Sequence, residues 1–523
     1  MQSLCLPRGC RQASQSYNTR FWRATHDRRF LARTSRPQLL LESGASCCAS
    51  GGLIRSPQGN KARSTVRPVA SSLSQTESEA SSASQSTTRQ AGTLLGQVYL
   101  TLLPGPLRYA PALLFPATAL ASVVGASWGH EGVHAVVSLL PATQMLEWAP
   151  FLTILQQVYS SYPQECNVVM DTALSLIGAA FTFIVLPAGD LLLGQDTLGP
   201  EVESELAPNV QTLYRKLLYT IVLLHWTVLL LGCWAVANLH VHPLACLGLA
   251  LSLGAEGGLC FTTAHELLHG RSRLDKLMAQ ALLCSVGYMH WSESHHIHHR
   301  KVATPADPAT ARKGESVYMF VPRSVIGNLQ DGWVAETTRL RKRSIPFFSP
   351  QNRLLLWLGA PVSALGGVFV LWGPWSCALA IAQALVGILL LEMVNYIEHY
   401  GLLRQRLASG RYEGIAVRHS WNANWLLSNC ILLRLQRHSD HHAHADRPYQ
   451  MLRDIPEAPQ LPASYPAMMV LSLLPGYFRW VMDPRVAACS SQISGDPHVT
   501  ACSSPMTAAS LVTDLEILSS EDG

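Results

Sequence analysis

Charge is what this chain of 523 residues has least of. Only 14% of its residues are Asp, Glu, Lys or Arg, against about 25% in soluble domains. With 48% hydrophobic residues and a positive mean hydropathy of +0.16, the shortfall points to lipid as the solvent for much of the chain. A net charge of +5 makes no case for nucleic acid as a partner. No CxxC pair occurs among the 13 cysteines. That argues against a zinc ribbon or a rubredoxin-type iron site within the chain, and against a disulfide framework. Acids are nearly missing at the N-terminus: up to Arg67 there are eleven arginines but only Asp27 and Glu42. A Ser/Thr/Gln-rich stretch follows, over residues 71–90. Basic, hydroxylated and acid-poor, this is the make-up of an organelle transit peptide for a plastid or mitochondrion, a disordered basic tail being the plainer alternative. Residues 1–90 are therefore expected to be a transit peptide and linker. Residues 91–488 are expected to form the membrane domain that carries the chemistry, and 489–523 a polar disordered tail.

Long apolar runs are plentiful. A bilayer-spanning helix needs about 20 such residues. Tyr109–Gly129, Thr172–Gly189, Leu217–Leu239 and Pro243–Ala264 qualify, and the uncharged stretch from Arg353 to Glu392 is long enough for a hairpin of two spans broken near Gly373-Pro374. The expectation is an all-α integral membrane protein of about six transmembrane helices. Gly132–Gln164 reads either as an extra span or as an interfacial insertion. Leu277–Met289 and Trp425–Leu433 are too short to cross.

Histidine is the residue in excess. Thirteen of the 20 histidines lie between His265 and His444. His265 and His269 are four apart, so they share a helical face. His295, His298 and His299 repeat the idea as HxxHH, as do His438, His441 and His442; His399 stands alone in NYIEHYG. Following the spans, every cluster falls at one membrane face, which also carries Arg271, Arg273, Lys276, Arg300, Lys301 and Arg339–Arg343. The positive-inside rule makes that face cytosolic, stromal or matrix-facing. Single histidines such as His26, His240 and His498 read as ordinary surface or core residues. The clusters do not, because imidazoles gathered at one face would be costly to bury and would repel as cations unless a metal binds them. Nine candidate ligands exceed the four of one zinc and suit two ions, and neutral imidazole serves iron, zinc and copper alike.

The residues around these histidines resemble the membrane alkane hydroxylase (alkane 1-monooxygenase) family, within the histidine-box desaturase and hydroxylase group. The likeness rests on Thr263–His269 (TAHELLH), Val302–Ala309 (VATPADPA), Asn395–Arg404 (NYIEHYGLLR), Ser420-Trp421-Asn422, Leu435–Asp446 (LQRHSDHHAHAD) and Tyr477–Pro484 (YFRWVMDP). It implies a di-iron centre held by His265, His269, His298, His299, His399, His438, His441 and His442. His295 is added on spacing, because Ser294 stands where the family has the second box's first histidine. The resemblance further implies dioxygen as oxidant, electrons from a rubredoxin (or, in a plastid, a ferredoxin), and hydroxylation of the terminal methyl of an alkane or related fatty chain.

Glu266, Glu398 and Asp440 sit beside ligands in sequence and are expected to assist catalysis by orienting imidazoles. Glu256, in mid-span, is a functional suspect because a buried acid in lipid needs a partner. Arg339–Arg343 suits either an acidic electron donor or membrane-lipid headgroups. Two other readings compete: a fatty-acid desaturase or fatty-acyl hydroxylase with the same metal centre, and an intramembrane zinc protease built on His265-Glu266-x-x-His269. A histidine-rich transporter fits less well, since transport sites lie at the bilayer midplane.

Overall fold

A computed structural model describes residues 105–139, 161–197 and 208–494. They form helices, with isolated β-bridges and no named strand among the described residues. In chain order, a 3-10 turn Gly105–Leu113 leads into α1 (Leu114–Leu139). Then α2 (Pro163–Ser175) bends at Leu176 and the chain runs on through a π-helical turn at Phe181–Val185 into α3 (Leu186–Leu193). Next come α4 (Pro208–Asn238), α5 (Pro243–His269), α6 (Arg273–Ser285), α7 (Trp291–Lys301), α8 (Val317–Lys342) and α9 (Arg353–His399). The short helices α10 (Leu426–Ile431) and α11 (His438–Ala443) precede α12 (Tyr465–Ser472) and α13 (Pro475–Ser494). The transit segment lies outside the described residues, and so does most of the Gly132–Gln164 segment. The polar tail does so from residue 495, since α13 continues past the boundary expected at 488.

Among the described residues four helices are long and apolar enough to cross a membrane, or five if the bent pair α2–α3 is one span. Arg353–His399 doubles back at Gly373, whose φ of 79° breaks the helix. Cys377 Sγ there lies 3.4 Å from the Leu365 carbonyl, a contact impossible in a straight helix, where twelve residues span about 18 Å. The hydropathy expectation of six spans requires each arm of that hairpin to be a crossing.

α5 is the central post. Its most apolar window is 78% buried, whereas those of Gly105–Gly129, Val210–Asn238 and Arg353–His399 are 39–44% buried, so α5 is ringed by helices that turn their outer faces to lipid. Small residues make this possible, because lipid tails give helices no hydrophobic reason to associate and close packing must do so. A Cβ on Gly254 would reach 2.9 Å from the Gln383 carbonyl of α9, and one on Gly258 2.7 Å from Leu390 Cβ. The bend after α2 frees backbone amides that lipid cannot satisfy. Serines from neighbouring helices accept them: Gly178 N–H donates to Ser122 Oγ at 3.0 Å and Ala179 N–H to Ser252 Oγ at 3.1 Å.

The α5–α9 contact positions the helix that carries His265 against the one that ends on His399, so widening it is expected to loosen both. Gly254→Leu should collide with Val386 and the Gln383 carbonyl and lower stability by roughly 1–3 kcal/mol. Thermal unfolding of the purified protein in detergent measures this, and an unshifted melt would contradict the packing.

Candidate metal centre

Each box arrives on its own helix end. α5 delivers His265 and His269 on its last turns; α7 carries His295, His298 and His299; α9 ends on His399; α11 supplies His438, His441 and His442. The last helix is one and a half turns long and depends on outside anchors. Arg437, buried immediately before it, pairs with Asp196 at 2.8 Å and donates to the Leu452 carbonyl at 2.7 Å. Ser439 N–H donates to Asn422 Oδ1 at 2.8 Å.

The imidazoles meet in two groups. His265, His269, His295, His299 and His441 form one; His298, His399, His438 and His442 form the other; within each, the candidate ligand atoms all lie within 4.8 Å of one another. Nε2 atoms face one another at 3.0 Å (His269–His295), 3.1 Å (His299–His295 and His441–His299), 2.9 Å (His442–His438) and 3.3 Å (His438–His399). Metal–imidazole bonds of about 2.1 Å at right angles put neighbouring nitrogens about 3 Å apart, so the spacing fits a metal in each group. The groups adjoin, with the His299 and His442 rings 4.5 Å apart. Neighbours in sequence divide between them because adjacent residues point about 100° apart around a helix. His298 parts from His299, and His441 from His442. Read as boxes, each HxxHH looked like one face serving one ion.

Burial, reinforced by repulsion from neighbouring imidazoles, holds His295, His299, His438, His441 and His442 well below the ordinary imidazole range. Each is therefore neutral at physiological pH and has a lone pair to give. His265 Nε2 is buried with no hydrogen-bond partner among the described residues. Neutral lone pairs aimed at a shared point repel, and a cation in each group removes that cost.

The acids expected to orient imidazoles are placed otherwise. Glu266 turns away and accepts the Tyr449 N–H at 3.3 Å. Asp440 is held by Arg447 and Arg453 and lies 3.4 Å from Nδ1 of His444, outside both groups. Glu398 does face the centre, but its Oε2 lies 3.3 Å from Nε2 of His438, the inward-pointing nitrogen. For Glu266 and Asp440 the cause is helical geometry: each points about 100° away from the histidine next to it. The orienting carboxylate is Asp307, whose Oδ2 accepts from His298 Nδ1 at 2.9 Å. Thr310 Oγ1 donates to the same oxygen at 2.6 Å, and the Ala309 N–H donates to the other at 3.3 Å. Burial pushes the Asp307 carboxyl up, but His298 and Thr310 outweigh it and hold it below the ordinary range. The sequence signal was available in the VATPADPA turn, nine residues past His298.

Glu256 finds its partner in α4. His225 Nδ1 lies 2.7 Å from its Oε2, and Cys260 Sγ donates to Oε1 at 3.1 Å. Nine residues before His265, Glu256 lies half a turn away on the opposite face of α5, so this trio is separate from the metal groups.

A narrow, mostly apolar cavity opens from the histidines between α5, α9 and α12. His265, His295, His298 and His438 line one part; Gly258, Phe261, Leu391, Val394 and Met469 line the rest, together with Asn395 and Glu398. Gly258 lies two turns, about 10 Å, from His265 along α5 toward the span interior, so the cavity reaches from the metal groups into the membrane domain.

Residues 241–472 match the model of the fatty acid desaturase family. An alkane 1-monooxygenase of Pseudomonas putida is 41% identical over 303 residues, covering 58% of this chain and 75% of that protein. Alkane 1-monooxygenase 1 of Alcanivorax borkumensis is 41% identical over 304 residues, with the same coverage. More distant is the hydroxylase component of a Pseudomonas putida xylene/toluene monooxygenase, 27% identical over 315 residues, covering 59% of this chain and 82% of that protein.

Replacing Asp307 by Ala should leave the fold intact and lower metal affinity or turnover by 10- to 100-fold, the usual cost of losing a ligand's orienting partner. Metal titration of the purified variant checks this. Affinity equal to that of the parent would remove Asp307 from the centre.

Proposed function

Because this chain belongs to the alkane 1-monooxygenase family, we propose that its two histidine groups hold iron and that it hydroxylates the terminal methyl of an alkane or related fatty chain. It is an integral membrane oxidoreductase of the monooxygenase class, acting on a hydrocarbon with dioxygen. The observation that carries the iron assignment is the pair of adjoining all-histidine groups opening into one apolar cavity. The ligands proposed are His265, His269, His295, His299 and His441 for one ion, and His298, His399, His438 and His442 for the other.

When bound, the iron pair supplies reduction of dioxygen with two external electrons and two protons, transfer of one oxygen atom to carbon, and release of the other as water. The chain's own residues do the rest. The apolar wall formed by Phe261, Leu391, Val394 and Met469 accepts a hydrocarbon and excludes water, which fixes the methyl near the centre and protects the reaction. Asp307 keeps the His298 proton on Nδ1, leaving Nε2 free to bind. Glu398, with Oε2 beside His438 and Oε1 without a hydrogen-bond partner among the described residues, can hold a proton inside the cavity.

The electron donor proposed is a small iron–sulfur protein, a rubredoxin or a ferredoxin. Import into a plastid or mitochondrion rests on the composition of the first ninety residues alone, and the curated relatives, which are bacterial, lend it no support. The zinc-protease reading needs Glu266 poised beside the His265–His269 metal, and Glu266 instead faces the Tyr449 amide.

Membranes supplied with a reconstituted donor and isotopically labelled alkanes and fatty acids should yield primary alcohols, identified by mass spectrometry. A carbon–carbon double bond as the product would move the chain to the desaturase reading. His441→Ala should abolish the alcohol and lower bound iron while membrane insertion persists; an active variant would count against the ligand set.

A further inference from the structure

We infer that α8 and the loop after it form an in-plane membrane anchor that binds anionic phospholipid headgroups through Arg341, Lys342 and Arg343. α8 lies across the open end of the α9 hairpin. Phe320 packs on Tyr396 of the returning arm with ring centroids 5.4 Å apart, Asn328 donates to Glu392 of that arm at 3.2 Å, and Glu336 pairs with Arg353, the first residue of the outgoing arm, at 2.8 Å. A helix touching the feet of both arms runs along the membrane boundary.

Its buried stripe repeats every four residues from Phe320 to Leu340. Leu329 and Trp333 on the flank beside that stripe, and Ile326 and Val334 on the far side, are all large, apolar and exposed. The loop adds Phe347 and Phe348, the latter 87% exposed. Six such residues beside a span entry suit the headgroup–acyl boundary, where amphipathic helices bury one face and aromatic rings settle.

The charge at the helix end completes the site. Arg339 and Arg353 are committed to Glu336, and Arg353 also to Glu293. Arg341, Lys342 and Arg343 are exposed, and no ion pair engages them among the described residues. Three unneutralised cations next to an apolar, aromatic edge match a phosphodiester at the lipid surface. A docking face for a water-soluble electron donor would not be bordered by residues that require lipid.

The full-length protein, reconstituted in phosphatidylcholine with a trace of spin-labelled phosphatidylglycerol or phosphatidylcholine, reports the preference of its boundary lipid by electron paramagnetic resonance. Selectivity for phosphatidylglycerol should be several-fold, should weaken with salt, and should fall toward one in R341Q/K342Q/R343Q, whose alkane hydroxylation stays at the parent level. Equal selectivity in parent and triple variant overturns the proposal. So does a triple variant that raises the KM for the donor protein and leaves lipid selectivity unchanged, which would make the patch a donor site. A second variant tests the apolar face: W333F should reduce the tryptophan fluorescence quenched by lipids brominated near the headgroup. Loss of an iodide-quenched component instead would place Trp333 in water and refute the anchor.

Discussion

Nine imidazoles aimed inward from four helices are the constraint to which the rest of this molecule answers. Crowded there, their ring nitrogens repel, as lone pairs or as cations. Only bound cations make the arrangement favourable, so metal binding and folding are coupled at this end of the protein. The centre we propose as the reaction site is also a closing device. It draws α5, α7, α9 and α11 to one point.

The scaffold is built to bring those ends into register. α5 is thin along the faces that meet α2 and α9, so those helices approach its backbone closely at Gly248, Gly254 and Gly258. The bend after α2 costs amide bonds, and Ser122 and Ser252 restore them from adjacent helices. The third box sits on a helix too short to hold itself, and the buried Arg437–Asp196 pair, reaching across 241 residues of sequence, fixes its start. Removing one partner of such a pair strands a charge in low dielectric, which is why it is a stronger positioning device than a surface ion pair.

Much of this was legible in the sequence. The apolar runs located the spans, Gly373 marked the hairpin turn, and the histidine spacings gave every member of both groups, including His295 in a box whose neighbouring position is Ser294. What spacing could not show was the division of adjacent histidines between two groups, because that depends on how four helices are rotated relative to one another. Nor could it show the orienting carboxylate. Proximity in sequence favoured Glu266, Glu398 and Asp440, whereas Glu266 and Asp440 turn to partners outside the groups, Glu398 meets an inward-pointing nitrogen, and the turn carrying Asp307 brings the carboxylate that meets His298 Nδ1. Glu256 was suspect for a sound reason, that a lone acid in lipid is costly, and His225 on another helix supplies its answer.

The central claim is that two adjoining ions occupy the histidine groups. Metal analysis of the purified full-length protein, coupled with Mössbauer spectroscopy of enzyme grown on iron-57, tests it most directly. Two irons per chain, with spectra that both change on reduction, is the expected result. A single zinc, or protein free of iron that retains full hydroxylase activity, would contradict it.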